Sequence, residues 1–389
     1  MVSENSVCPV CGSTRSAPVL EMPPVPVLPN AVYATREAGL AADTAAIELR
    51  QCLDCGHVYN AIFDEERVRY APDGYGNPLG ASAVFRAYQS ALVGELVERF
   101  GLEGRAAFEI GAGDGSFLAE LVEAGMASGI GLDPSSSEVV LLDGTVQLSA
   151  RLLSDGDRNT ADLLVMRHVL EHLADPAGLL RQSSGVLRSE GPAVAYLEVP
   201  NGGFALGPRG VWDVIYEHPS IFTARSMATL VARAGLAVED ISAAYDNQFL
   251  QAFVRRAEST AAKTQPSECP SMEGEASAFA EAFATATTAW GALLAARAER
   301  GDHTVIWGAG SKGVMFCNLV AVGGETVIDA SPAKQGRFIP GTGQPIEGPS
   351  ALQGLRDPLI IVMNDAYLDE IKTTAKTENV MSAMAPPVG

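Results

Sequence analysis

The stretch FEIGAGDGSF, residues 108–117, decides how the rest of the chain is read. It closes a short apolar run that starts at Ala106 and carries an acid, Glu109, near its end. Gly111, Gly113 and Gly115 follow, and then an amphipathic run, GSFLAELVEAG. A strand, a glycine turn and a helix in that order bring backbone close to a ligand at the carboxyl edge of a sheet, because residues without a Cβ permit the approach. The next apolar run, SGIGLD, ends in Asp133, where a carboxylate can accept both hydroxyls of a ribose. Those features alone also suit a dinucleotide. Glu109 separates the two readings: it would repel a pyrophosphate, and it suits the cationic methionine end of S-adenosylmethionine.

Outward from this turn, strands and helices alternate. ADLLVMRHVL and AVAYLEVP read as strands, PAGLLRQSSGVL and TARSMATLVARAG as helices, and AVEDIS and FLQAFVRR as a closing pair of strands. The pattern predicts an α/β domain over residues 61–257 with a mostly parallel sheet and an antiparallel edge. Ahead of it, residues 69–80 read as a loop broken by Gly and Pro and carrying Tyr70 and Tyr75. Phe85, Tyr88, Leu92 and Leu96 then take helical spacing. The run HVLEHLADP, residues 168–176, follows the strand as in many class I methyltransferases, which this part of the chain resembles. The resemblance implies a Rossmann-like fold with Glu109, Gly111, Gly113, Asp133 and His168 at the donor. His172 either reaches ligand or orients its loop.

Residues 1–60 form a separate small module. Cys8 and Cys11 in CPVCG, and Cys52 and Cys55 in CLDCG, share the CxxC spacing with glycine after the second cysteine. That is knuckle geometry for a structural zinc ion held by four thiolates, with no open position for chemistry. The insert between the pairs is Pro-rich, MPPVPVLPN, and then reads as helical. His57 follows Cys55, but four thiolates already suffice.

At the other end, residues 258–273 read as a linker and residues 274–389 as a second α/β domain. A long Ala-rich helix precedes VIWGAGSKG, and VIDASPAKQG ends its strand in Asp329. This second glycine turn is either architecture alone or an anion site formed by the helix N-terminus with Lys312, Lys334 and Arg337. A second dinucleotide is the weakest reading. The last residues, SAMAPPVG, read as a frayed tail.

Composition limits the partners. A formal charge of -20 argues against a broad phosphate-contacting surface for nucleic acid, though a small anion needs only a local positive cluster. No apolar run is long enough for a membrane helix, and the N-terminus lacks the pattern of a secretory leader, so a cytoplasmic protein with a small-molecule substrate is expected.

Taken in order, the two CxxC pairs, EIGAGDGSF, LEVPN, IYEHPSIFT and GAGSKG…VIDASPAKQGRFIPGTGQPI resemble the zinc-containing C-methyltransferases of nucleotide deoxysugars, over nearly the whole length. The resemblance implies three domains and methylation of a carbon beside a ketone in natural-product biosynthesis. In that family a base removes the proton and the enolate takes the methyl group. Its motif, Tyr-His-Glu-His before Ser-x-Phe, falls on IYEHPSIF. Glu217 and His218 match, while Tyr216 stands in the first His position and Ile215 in that of Tyr. The implied catalytic residues are His218, Glu217 and Tyr216, and the implied substrate residues are Asn201, Lys312 and Arg337, with Asn247 and Gln248 as further hydrogen-bonding candidates. Read from the residues alone, a His beside a carboxylate in a Pro-containing loop is a plausible base. The altered motif leaves open an N- or O-methyltransferase acting on a non-sugar metabolite, and a non-catalytic binding module is a third reading.

Overall fold

The structure, a computed structural model, describes residues 6–69, 83–257 and 273–387. The loop expected around Tyr70 and Tyr75, and all but the last residue of the expected linker, lie outside them.

The N-terminal part is a sheet. Strand β1 (Ser16–Pro26) runs antiparallel to β2 (Thr44–Cys52), with only a five-residue helix, α1 (Arg36–Leu40), between them, and β3 (Val58–Asn60) extends the other side of β2. The helix expected after the Pro-rich run is present but short, and β2 takes up the rest of the insert. Buried and half-exposed positions alternate along β2 with the period of a strand. The prolines of β1 are tolerated because β1 is an edge strand, and its register shifts between Pro18 and Leu20 and between Met22 and Val25.

After α2 (Ala83–Phe100) comes a doubly wound sheet. Its early elements are β4 (Ala106–Ile110), α3 (Ser116–Glu123), β5 (Ser128–Leu132), β6 (Val139–Leu141) and β7 (Val146–Ser149). The sequence reading passed over β6 and β7. The chain then returns to the other side of β4 through β8 (Leu163–Arg167), α4 (Pro176–Ser183) and β9 (Val194–Pro200). A short α5 (Gly202–Ala205), β10 (Ser220–Ile221), α6 (Ala224–Arg233), β11 (Leu236–Ala244) and β12 (Phe249–Arg256) complete this region. The order is β11-β12-β9-β8-β4-β5-β7-β6, with β12 and β6 antiparallel to their neighbours. Strand order reverses between β4 and β8, which opens a crevice at their carboxyl ends. β10 leaves this sheet and pairs with β3, which docks the N-terminal part.

The C-terminal part starts with α7 (Glu273–Arg300) and continues through β13 (Thr304–Trp307), α8 (Ser311–Val320), β14 (Thr326–Ile328), β15 (Ile346–Glu347), β16 (Leu359–Val362), α9 (Leu368–Ala375) and β17 (Val380–Ser382). Its five strands are all parallel, in the order β15-β14-β13-β16-β17. The expected frayed tail is corrected at its start: Ala383 and Met384 are buried, and the Ala383 carbonyl accepts the indole N–H of buried Trp212 at 2.7 Å.

Two cores divide the N-terminal sheet. Cys8, Val10, Cys52, Cys55 and Tyr59 pack with Phe222, Met227 and the inner face of β8 and β9. Met22, Val25, Ile47 and Leu49 pack with Trp212, Tyr216, Trp290, Phe316 and Ile361. The small module thus bridges the eight-stranded sheet and the C-terminal part.

Candidate active site

The first glycine turn lies at the switch between β4 and β8. Gly111, Gly113 and Gly115 have φ of 75°, 54° and 77°, the left-handed region that glycine occupies freely. A Cβ on Gly111 would sit 2.3 Å from Val169 Cγ2, whereas one on Gly113 would meet no atom within 4 Å. Gly111 is thus fixed by packing, and Gly113 faces open space. Asp133 shapes the turn from the next strand: Gly113 N–H donates to its Oδ2 at 3.0 Å, and Ser135 donates to Oδ1 through N–H at 2.9 Å and Oγ at 2.7 Å.

Beneath the turn lies buried charge. Glu109 is buried, and its Oε2 has no hydrogen-bond partner among the described residues. Burial pushes its carboxyl up to about 8, against the pull of the Arg167 guanidinium. Arg167 pairs with buried Glu198 at 3.0 Å, across directly registered positions of β8 and β9, and stacks over Phe117 at 4.3 Å. Glu198 also accepts the hydroxyls of Tyr88 and Tyr196. Burial opposes its charge, but Arg167, His168 and Tyr88 outweigh it and hold the carboxyl well below the usual range.

His168 stands where β8 ends, with φ of 55°. Its ring lies between Glu171 at 3.4 Å and Glu198 at 3.3 Å. Burial would push its pKa down, but these two carboxylates raise it to about 9. It is thereby tied into the charge network.

One helical turn on, the Leu170–His172 segment meets the loop before β10. The His172 and His218 rings touch edge to face, with centroids 4.5 Å apart. Fully buried Glu217 lies 3.9 Å from His172 Nδ1 and accepts Asn30 Nδ2–H at 3.4 Å. Burial, reinforced by His172 and His168, pushes the His218 pKa well below its ordinary value, so the ring is neutral near pH 7. Burial also lowers His172. The structure brings Glu217 and His218 together but turns Tyr216 elsewhere. The Tyr216 hydroxyl accepts Asp64 N–H at 2.9 Å and its ring packs on Phe63, so it holds the N-terminal sheet. Of the three residues expected at the base, Tyr216 is thus the one whose hydroxyl faces the N-terminal part.

On the substrate side, Asn201 caps α5 and donates from its Nδ2 to the Asn247 carbonyl at 2.8 Å. Lys312 pairs with Asp213 at 3.2 Å and donates to Gln248 Oε1 at 3.2 Å, and Asn364 donates to the same oxygen. Arg337 is exposed. The second glycine turn repeats the first in detail: Asp329 accepts Ala309 N–H on Oδ2 and Ser331 N–H on Oδ1, both at 2.8 Å. Here, however, buried Lys334 lies 3.6 Å from Asp329 and donates to the Ala309 carbonyl at 3.0 Å. An ammonium stands at the acid that a ribose would need.

The four N-terminal thiols converge. Cys8 and Cys55 sulfurs are 3.6 Å apart and those of Cys11 and Cys52 are 3.4 Å apart, close to the edge of about 3.8 Å that four Zn–S bonds of about 2.3 Å imply. The knuckles match: Gly12 N–H donates to the Cys8 carbonyl and Gly56 N–H to that of Cys52, each at 2.9 Å and each at a glycine of positive φ. Hydrogen bonding from Cys55 draws Cys8 down to about 5, and burial holds Cys11 up at about 11, a conflict that a bound cation would remove. His57 turns away to Ser220, with its Nε2 3.2 Å from the hydroxyl oxygen.

Arg167, Glu171, Glu198, Asp213 and Asn30 were missed by sequence reasoning. The signal available for Arg167 and Glu198 was charge inside apolar runs, VMRHVL and YLEVP, which burial permits only in pairs.

Residues 85–241 match the model of a methyltransferase domain, and residues 269–383 match that of a C-methyltransferase C-terminal domain. The expected class I methyltransferase fold, Rossmann-like α/β, is the one present. Among curated proteins no match is found. Among solved structures the chain is similar to an S-adenosylmethionine-dependent methyltransferase from Mesorhizobium loti, at 17% identity over 46% of this chain and 100% of the other, with a TM-score of 0.36. It is also similar to the 1,6-didemethyltoxoflavin-N1-methyltransferase of Burkholderia thailandensis bound to S-adenosylhomocysteine, at 14% identity over 53% and 98%, TM-score 0.34. A third is the magnesium protoporphyrin IX methyltransferase of Synechocystis, at 14% identity over 48% and 90%, TM-score 0.35.

Proposed function

We propose that this methyltransferase uses S-adenosylmethionine to methylate a carbon beside a ketone, on a nucleotide-linked keto-deoxysugar of natural-product biosynthesis. The carrying observation is the His218 imidazole, kept neutral by burial and set against His172, which Glu217 faces in turn. The crevice suits that ligand: the space over Gly113 is open, and the buried Glu109 carboxyl has an unsatisfied oxygen and would give up its proton beside a cationic group. Gly111, Gly113, Asp133, Glu109 and His168 would hold the donor, which supplies a sulfonium methyl. His218 takes the proton from the carbon, and the C–H electrons pass into an enolate whose carbon accepts the methyl. His172 and Glu217 position that base. Asn201, Lys312 and Arg337 hold the substrate, the two cations serving its phosphates, and Cys8, Cys11, Cys52 and Cys55 hold a structural zinc. Clustered thiols with no disulfide among the described cysteines support a cytoplasmic enzyme.

The test is exchange in deuterated water with S-adenosylhomocysteine bound in place of the donor. Wild type should exchange the acidic C–H of a keto-sugar nucleotide without methylating it, and His218→Ala should not. Wild-type exchange in folded His218→Ala would move the base elsewhere. A second reading, N- or O-methylation of a non-sugar metabolite, draws on one observation. Ile215 is buried where the motif has Tyr, and Tyr216 is turned to Asp64. Under that reading even wild type shows no exchange.

A further inference from the structure

The His172–His218 contact has a third member. Glu171 is buried to 1% exposure, and neither of its oxygens accepts a hydrogen bond among the described residues. His168 Nδ1 lies 3.4 Å from its Oε1. One ligand atom each from Glu171, His172 and His218 lie within 4.8 Å of one another. Four-coordinate zinc with N and O bonds of about 2.0–2.2 Å needs ligand atoms about 3.4 Å apart, so modest side-chain rotation would close the set. We propose that Glu171, His172 and His218 form a second metal site, for a divalent transition cation of the zinc, cobalt and nickel class.

The donor set selects that class. Two imidazoles and one carboxylate favour borderline cations over calcium or magnesium, which prefer oxygen throughout. Three ligands leave a coordination position open, unlike the four thiolates. Glu217, 3.9 Å from His172 Nδ1, supplies the outer carboxylate that orients a ligating imidazole. The buried Glu171 carboxylate, which shares the His168 imidazolium with Glu198, gains a cation of its own. An ion held here occupies a lone pair of His218, so metal binding and proton abstraction by that ring exclude one another. The site itself does not depend on His218 being the base.

Cobalt incorporated during expression of the chain in zinc-depleted, cobalt-supplemented medium, followed by cobalt titration, reads both sites separately. Wild type should take up two cobalt ions per chain. The thiolate ion gives intense sulfur-to-cobalt charge transfer, and the second gives only weaker visible bands. His172→Ala should weaken the second ion by at least about 100-fold, and Glu171→Gln, nearly the same shape, by about tenfold or more. The thiolate spectrum should be retained in each and reports that the variant is folded. A wild-type stoichiometry of one, or a second ion unaffected by both substitutions, overturns the proposal. Loss of activity in either variant has no bearing on the count.

Discussion

The two glycines at the turn proposed to hold the donor make opposite demands, and a pair of alanine substitutions separates them. Gly113→Ala places a methyl at φ 54°, which costs roughly 1–2 kcal/mol for an L-residue in the left-handed region. That methyl meets no protein atom within 4 Å, so folding suffers nothing more. Gly111→Ala incurs the same backbone cost at φ 75° and also drives a Cβ to 2.3 Å from Val169 Cγ2. Overpacking of that kind adds roughly 1–3 kcal/mol. The Gly113 methyl stands instead in the crevice assigned to the donor. Displacing one charge-assisted hydrogen bond there, about 1.5–3 kcal/mol, weakens binding roughly ten- to hundredfold. Denaturant midpoints should therefore rank wild type, Gly113→Ala and Gly111→Ala in falling order. Calorimetric titration with S-adenosylmethionine should show the largest affinity loss per unit of lost stability at Gly113. Unchanged donor affinity in Gly113→Ala, or equal stability of the two variants, would refute the assignment of the crevice.

His218→Ala should lower turnover by at least about 100-fold with donor affinity nearly unchanged. Because burial holds His218 well below 6.5, the wild-type rate should stay flat as pH falls through 6.5 and decline only further down; a half-maximal rate at 6.5 would contradict the burial argument. Glu109 gives a stability prediction of the opposite sign to most carboxylates. The fold keeps its proton up to about pH 8, while the unfolded chain releases it near 4.5, so its contribution is full below 4.5 and is lost as pH rises towards 8. Donor-free Glu109→Gln should lose less stability than wild type between pH 5 and pH 9, measured by denaturant midpoints at both; parallel pH profiles would mean that the burial effect is absent. Cys8→Ser should lower the zinc content by one ion per chain relative to wild type, by elemental analysis, and lower the thermal midpoint, since metal binding free energy is folding free energy in such a module; an unchanged zinc content would remove Cys8 from the ligand set.

The geometry of the first glycine turn was legible because its determinants are local: strand, glycines and Asp133 lie within one βαβ unit, and the left-handed φ values are imposed by the turn itself. The thiol site was legible because each knuckle closes on its own backbone. Elements governed by distant partners were not. The prolines of β1 read as strand breakers until its edge position is known, and β6 is three residues long and partly exposed. Nothing in IYEHPSIF tells which way Tyr216 points, since Phe63 and Asp64 decide it from the N-terminal part. The plug at the second turn is likewise invisible in VIDASPAKQG, because Lys334 reaches back to a carbonyl on the preceding glycine loop.

The division of the N-terminal sheet between two cores sets an order in time. During synthesis the backbone bonds of the thiol knuckles can close once His57 has emerged, and the apolar partners of that half of the sheet follow by Met227. The other half of the same sheet is not so fortunate. Met22, Val25 and Ile47 find their partners on α7 and α8, which begin at Glu273 and Ser311. At roughly 5–20 residues per second, ribosomal elongation leaves that apolar face uncovered for on the order of ten seconds or more. The first segment made is thus half finished until nearly the last is delivered, and the interval is when a newly made chain is most exposed to chaperones and to aggregation.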